Sequence, residues 1–167
     1  MKGNHEGHEG REDHERHGSH SDNEHATRLP GWLGMKVPSP LTPEADLVMT
    51  QTIGCAIAVH RALGPGFLES IYRKAMCVEL ESRNLVFEQE RPVRVIYRGV
   101  EITGQRVDLI VEAKVIVEVK SMAQLAPVHR AQLLTYLALT GCPAGLLINF
   151  NVPVLKDGLT RVLNTKT

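Results

Sequence analysis

A chain of 167 residues with 19 basic and 19 acidic side chains has room for one domain with tails, not for two full domains. Apolar residues make up 43% and aromatic residues 4%; that is enough for a hydrophobic core, yet no apolar run approaches the roughly 18 residues of a membrane-spanning helix. The zero net charge hides an asymmetry, because residues 1–25 carry three basic and seven acidic side chains, a net −4, and the remainder carries +4.

The first segment is polar and repetitive. It contains six of the eight histidines, His5, His8, His14, His17, His20 and His25, and almost no apolar surface to offset the entropy of ordering. Imidazoles chelate zinc or nickel, but the loose spacing and the lack of any cysteine point to a disordered extension rather than a built metal site. The opening MKGNHEGHEG has no apolar stretch of the secretory kind, so a cytoplasmic location is expected. Residues 26–43, with Pro30, Pro38, Pro40 and Pro43, read as an extended linker. The expected organisation is therefore a tail and linker over 1–43 and a folded domain over 44–167.

Thr42-Pro43-Glu44 is a helix start: Thr as N-cap, Pro in the first position and an acid in the first turn. Leu47, Ile53, Ile57 and Leu63 follow at helical spacing, and Gly64-Pro65-Gly66 ends the run. A second helix is expected from about Phe67 to Arg83, amphipathic through Leu68, Ile71, Ala75, Val78 and Leu80, with Asn84 as its C-cap. The period then changes to two at Val93, Val95 and Tyr97, and Arg98-Gly99 reads as a turn. The segments Glu101–Val111 and Val115–Lys120 are nearly continuous in Val, Ile and Leu, as expected for a sheet covered on both faces, and Gly104 marks a bend or bulge. A third helix over about Pro127–Thr140 with Gly141 behind it, a strand over 144–151 and a final edge strand over Thr160–Leu163 complete the chain. The order is α-α-β-β-β-α-β, a mixed sheet flanked by helices. Cys55, Cys77 and Cys142 are too few and too scattered for a disulfide framework and read as reduced, mostly buried thiols.

One constellation carries chemistry. In RVDLIVEAKVIVEVKS, Asp108, Glu118 and Lys120 interrupt two apolar strands. Glu118 and Lys120 are two apart and share a face. A three-residue connection pairs Val111 with Val115 and sets Asp108 opposite Glu118, whereas a two-residue turn puts the two carboxylates on opposite faces. Two opposed carboxylates in an apolar sheet repel and are costly to desolvate. A bridging divalent cation, helped by Lys120, offsets that cost; the simpler alternative is a salt bridge at the strand rim. Two helical features are candidates for the same end: Glu69 in the first turn of the second helix, whose simpler role is interaction with the helix N-terminus, and Gln132 with Tyr136, an i, i+4 pair on the third, whose simpler role is a boundary position with Tyr partly buried.

The stretch GPGFLESIY, with Gly66, Glu69 and Tyr72, followed in order by VDLIV, VIVEVKS, the Gln132-to-Tyr136 spacing and GLLINF, resembles the GxxExxY protein family. The resemblance covers roughly residues 45–165. That family is placed in the PD-(D/E)XK nuclease superfamily, whose restriction-endonuclease-like core is αβββαβ; the order read here has one extra N-terminal helix. The Q-x3-Y helix resembles the RecB-like branch. Val107 stands where the superfamily usually has Pro before the motif Asp. The resemblance implies that Asp108 and Glu118 ligate Mg²⁺ or Mn²⁺, with the Val119 carbonyl and Glu69 as further ligands, directly or through water. It implies that Lys120 orients or helps deprotonate the attacking water, and that Gln132 and Tyr136 hold the motif strand or a substrate phosphate. His60 is a candidate for the same cleft, although a core or surface role is the simpler reading. Arg91, Arg94, Arg98, Arg106 and Arg130 are candidates for phosphate contacts, with solvated charge as the competing reading.

Three functions are compatible with these residues: a metal-dependent nuclease acting on DNA ahead of RNA, a catalytically silent nuclease fold that binds nucleic acid or protein, and a metal-handling protein built on the histidine tail. A +4 domain is less basic than most strong DNA binders, and the small size leaves no separate DNA-reading domain. A homodimer or an accessory role in a larger complex fits that economy.

Overall fold

The computed structural model describes residues 39–164. The histidine-rich segment and most of the linker, residues 1–38, lie outside the described residues. Helix α1 (Pro43–Leu63) begins as its sequence dictates: the Thr42 side chain accepts from the Ala45 amide, Pro43 opens the helix, and Glu44 and Asp46 occupy the first turn. Helix α2 (Glu69–Ser82) follows. Then come β1 (Phe87–Pro92), the short strands β2 (Val95–Tyr97) and β3 (Val100–Ile102), β4 (Arg106–Val111), β5 (Val115–Lys120), helix α3 (Pro127–Thr140), β6 (Ala144–Asn149), a single 3-10 turn at Leu155–Gly158, and β7 (Leu159–Leu163).

The main sheet has the order β1-β4-β5-β6-β7. Only β5 and β6 are parallel, and α3 makes the crossover between them; the other neighbours are antiparallel. Helices α1 and α2 pack on one face, where Met49, Cys55, Tyr72, Met76 and Leu80 meet Leu109, Val117, Val119, Leu146 and Phe150. On the other face, Leu133, Tyr136 and Leu137 of α3 meet Val107, Ile110, Ile116, Leu147 and Val162. This is a restriction-endonuclease-like mixed α/β architecture with an extra leading helix. Burial on both faces explains why β5 and β6 read as unbroken apolar runs. The α3 layer lies close to the sheet: a Cβ on Gly145 would come within 2.7 Å of Leu133 Cδ1.

The structure departs from the sequence pattern at the first strand. The alternating run at Val93–Tyr97 is not in the main sheet; β2 and β3 pair only with each other, as an outlying hairpin turned at Arg98-Gly99. The sheet strand before it is FEQERP, an edge strand almost wholly exposed, whose polarity hides it from a hydrophobic periodicity. The chain leaves the sheet at Pro92 and re-enters at Arg106, with Gly104 at φ +115° between β3 and β4. The expected Glu101–Val111 strand is therefore two strands. Helix α2 starts two residues later than expected, because Phe67 and Leu68 stay extended or turned before it, with Leu68 as N-cap.

Candidate functional site

The three-residue connection Glu112–Lys114 gives the β4–β5 hairpin its register: Val111 faces Val115, Ile110 faces Ile116 and Leu109 faces Val117. Glu112 and Ala113 take left-handed φ values of 51° and 52° to make that turn. The next residues in register are Asp108 and Glu118, and here regular pairing stops. The Asp108 carboxylate turns to the neighbouring strand, where Oδ2 accepts from the Val119 amide at 2.9 Å. Its other oxygen, Oδ1, takes Arg73 Nη1 at 3.0 Å. On the far side of β4 the register is interrupted at the same level: Gln89 faces Leu109 and Arg91 faces Val107, but Glu90 and Asp108 do not pair. Glu90 has φ +49°, a left-handed conformation that is strained for a side-chain-bearing residue. Inward alternation also shifts there, since Val107 joins the α3-side core while Leu109 joins the opposite one.

Glu118 is 4% exposed. Its Oε1 accepts from Lys120 Nζ at 2.7 Å, and its Oε2 is buried without a hydrogen-bond partner. Burial pushes the Glu118 carboxyl up to about 7 against the downward pull of the Lys120 hydrogen bond, with the nearby charges of Asp108 and Glu69 adding to the rise. For Lys120, burial pulls the ammonium down. Its hydrogen bond to Glu118 and the charges of Glu118, Glu69 and Asp108 outweigh that pull and leave it above its ordinary value. Each motif carboxylate thus has a cation of its own, Arg73 on Asp108 and Lys120 on Glu118, where the sequence pattern suggested a single opposed pair.

Glu69 reaches the same strand end from α2, as Oε1 accepts from the Ser121 amide at 3.2 Å. The loop that aims it is held by Tyr72, whose hydroxyl donates to the Gly64 carbonyl at 2.6 Å and accepts from the Phe67 amide at 3.1 Å. The Tyr72 ring is stacked on Phe150 with centroids 4.4 Å apart, and the Ser121 hydroxyl donates to the Phe67 carbonyl. Gly66 has φ +106°, a backbone position that glycine alone adopts readily. The G-x-x-E-x-x-Y spacing therefore has a mechanical meaning: a left-handed turn, a carboxylate at a helix start, and a phenol that ties the turn to the helix.

On the other face, Gln132 Nε2 donates to the Tyr136 hydroxyl at 2.7 Å. Burial raises the Tyr136 phenol; the Gln132 bond pulls it down and the Glu118 charge raises it again. Tyr136 belongs to the core cluster that contains Ile116, two residues before Glu118 on the same face of β5. His60 has Nε2 2.8 Å from the Val152 carbonyl and its ring against Phe150. Arg91 pairs with Glu88, Arg94 with Glu101, and Arg98 lies over the Tyr97 ring. Arg106 and Arg130 are exposed and make no ion pair among the described residues.

The sequence pattern missed several participants. Arg73 is one helical turn beyond Glu69, and that i, i+4 spacing marked it as a neighbour. Asn149, 3% exposed at the end of β6, accepts the Met122 and Asn151 amides and donates to the Met122 carbonyl, fixing the chain just after Lys120; an Asn inside AGLLINF was its signal. Ser121 follows Lys120 directly. Nothing in the sequence marked Glu90.

Among the described residues, no three His, Cys, Asp or Glu side chains close into a ready-made metal cage. Magnesium does not need one, since it is commonly held by one or two carboxylates with waters and substrate phosphate completing its shell. The donors here are hard carboxylate oxygens, and the unpartnered Glu118 Oε2 beside them is a polar atom lacking a ligand. The residue set fits such an ion.

A family model described as the PD-(D/E)XK nuclease superfamily matches residues 46–162, a span that includes every residue of this cluster. The comparison with curated proteins gives no match. Among solved structures, a chain titled "Crystal structure of SSO0001" is similar at 24% identity and a TM-score of 0.41, over 57% of this chain and 48% of its own. The chain thus spans about half the length of that protein.

Proposed function

This chain belongs to the PD-(D/E)XK nuclease superfamily, and on that premise we propose that it is a metal-dependent nuclease hydrolysing phosphodiester bonds at the end of β5. The observation that carries the reading is the buried, unpartnered Oε2 of Glu118, held on a strand between Asp108 and Lys120. A structural salt bridge has no use for an orphaned carboxylate oxygen, which is costly to bury.

Asp108 and Glu118 would hold Mg²⁺ or Mn²⁺, with the Val119 carbonyl and Glu69 as further oxygen donors. When bound, the ion would stabilise charge on the phosphoryl oxygens and make a water more acidic. Lys120, beside Glu118 at the strand end, would orient the attacking water, help deprotonate it, or donate to negative charge developing on the phosphoryl group. Gln132 and Tyr136 form the α3 wall and would position phosphate or the motif strand. Arg106 and Arg130 are open to backbone phosphates. DNA is placed ahead of RNA on the resemblance to the RecB-like branch, and that branch, the GxxExxY family and a cytoplasmic location belong to the same proposal.

One observation favours a second reading. Both motif carboxylates already have cations, Arg73 and Lys120, as a silent binding module would require. A panel of labelled single-stranded DNA, double-stranded DNA and RNA, incubated with the full chain in Mg²⁺, Mn²⁺ or EDTA, separates the two. The nuclease reading expects cleavage of at least one substrate in metal and none in EDTA. Binding in every buffer without cleavage supports the silent module instead.

A further inference from the structure

Arg73 is bonded by two carboxylates from different strands: Nη1 is 3.0 Å from Asp108 Oδ1, and Nη2 is 3.3 Å from Glu90 Oε1. The Arg73 and Asp108 side chains are about one-fifth exposed, at 21% and 19%. Glu90 reaches Arg73 from a left-handed backbone, at the one level where β1 and β4 fail to pair. Strain of this kind persists only where surrounding contacts hold it, and here one of those contacts is the ion pair with Arg73.

Resting on the metal-site reading above, we propose that Arg73 is a positioning residue that acts as an electrostatic placeholder. It neutralises Asp108 in the metal-free protein, releases Asp108 when a divalent cation enters, and stays tethered to Glu90. Both Asp108 oxygens are engaged, Oδ1 by Arg73 and Oδ2 by the Val119 amide. The amide is fixed in β5. The guanidinium is on a long side chain with a second carboxylate to fall back on, so it is the bond that yields. Lys120 cannot serve in its place, because it is committed to Glu118 at 2.7 Å. The exchange replaces one positive charge with two in a cluster that holds Glu69, Asp108 and Glu118, so it is favoured electrostatically once the cation sheds part of its water.

The test is calorimetric titration of the full chain with Mn²⁺, alongside the Arg73→Met and Arg73→Lys variants. A placeholder competes with the metal, so Arg73→Met should bind Mn²⁺ about tenfold more tightly, roughly 1.4 kcal/mol, while its metal-free melting temperature falls. Arg73→Lys keeps the charge and should stay near the parent affinity. Unchanged or weaker Mn²⁺ binding in Arg73→Met overturns the placeholder and leaves the metal site standing. A folded parent chain that binds no Mn²⁺ overturns the metal-site reading and the placeholder with it. Should Arg73→Met fail to fold, the side-chain guanidinium N–H signals of ¹⁵N-labelled arginine in the parent chain serve instead. Saturating Mg²⁺ must shift the Arg73 signal, and an unmoved signal with Mg²⁺ bound overturns the proposal.

Discussion

The Lys120 ammonium lies 2.7 Å from the Glu118 carboxylate, two residues back along the same strand. One face of β5 therefore presents both charges, and apolar residues surround them. Each makes the other tolerable: Lys120 lowers the cost of a buried carboxylate, and Glu118 keeps the ammonium protonated.

This pairing gives a pH dependence. The folded-state carboxyl of Glu118 is raised from 4.5 to about 7, so between those values the folded chain holds a proton that the unfolded chain gives up. Its contribution to metal-free stability is full below about 4.5 and is lost as the pH rises through about 7. The span corresponds to roughly 3–4 kcal/mol. Glu118→Gln should remove that slope. Denaturant melts at pH 5 and pH 8, without metal, check this; parallel profiles for parent and variant contradict it.

Lys120→Ala is the complementary change. It leaves Glu118 buried without its cation, a loss of ~3–5 kcal/mol when the carboxylate must stay ionised. Because Glu118 protonates readily, the loss should be large at pH 8 and small at pH 5. The same melts measure it, and an equal loss at both pH values is the unfavourable result.

Tyr72→Phe keeps the ring against Phe150 and removes the hydroxyl that ties Gly64 to Phe67. The expected cost is ~1–2 kcal/mol for the buried groups left unsatisfied. Glu69 is aimed by that turn, so nuclease activity should fall further than stability alone explains. Thermal melts and initial rates on the same preparation decide it; full activity would show that the turn does not position Glu69.

The left-handed Glu90 supplies a comparison between two variants. Both Glu90→Gly and Glu90→Ala lose the ion pair to Arg73, but only glycine relaxes at φ +49°. Glu90→Gly should therefore be the more stable of the two by ~1 kcal/mol. Equilibrium unfolding of the pair tests it, and a more stable alanine variant rejects the strain.

The central elements of the fold were legible because their residues follow simple rules. Pro43 and Gly141 bracket helices, and continuous Val, Ile and Leu runs mark strands buried on both faces. The odd-length turn needed to bring Asp108 to the level of Glu118 is present as Glu112–Lys114. The polar edge strand β1 was not legible, since its order comes from backbone pairing with β4 and not from side-chain burial. The hairpin β2–β3 misled for the opposite reason: its residues alternate, yet Ile96, Tyr97 and Val100 remain exposed. In the site, Asp108, Glu118 and Lys120 were visible as charges in apolar strands. Arg73 carried only its i, i+4 spacing from Glu69 as a signal, and Glu90 carried none, because its role depends on a register break that no local pattern encodes.

The most direct measurement is metal-dependent cleavage of a labelled nucleic acid by the full chain, beside Asp108→Asn and Lys120→Ala, each shown to be folded. The account predicts cleavage that needs Mg²⁺ or Mn²⁺ and falls by at least ~10²-fold in both variants. Cleavage of undiminished rate in both would contradict it, and would place the reaction outside the end of β5.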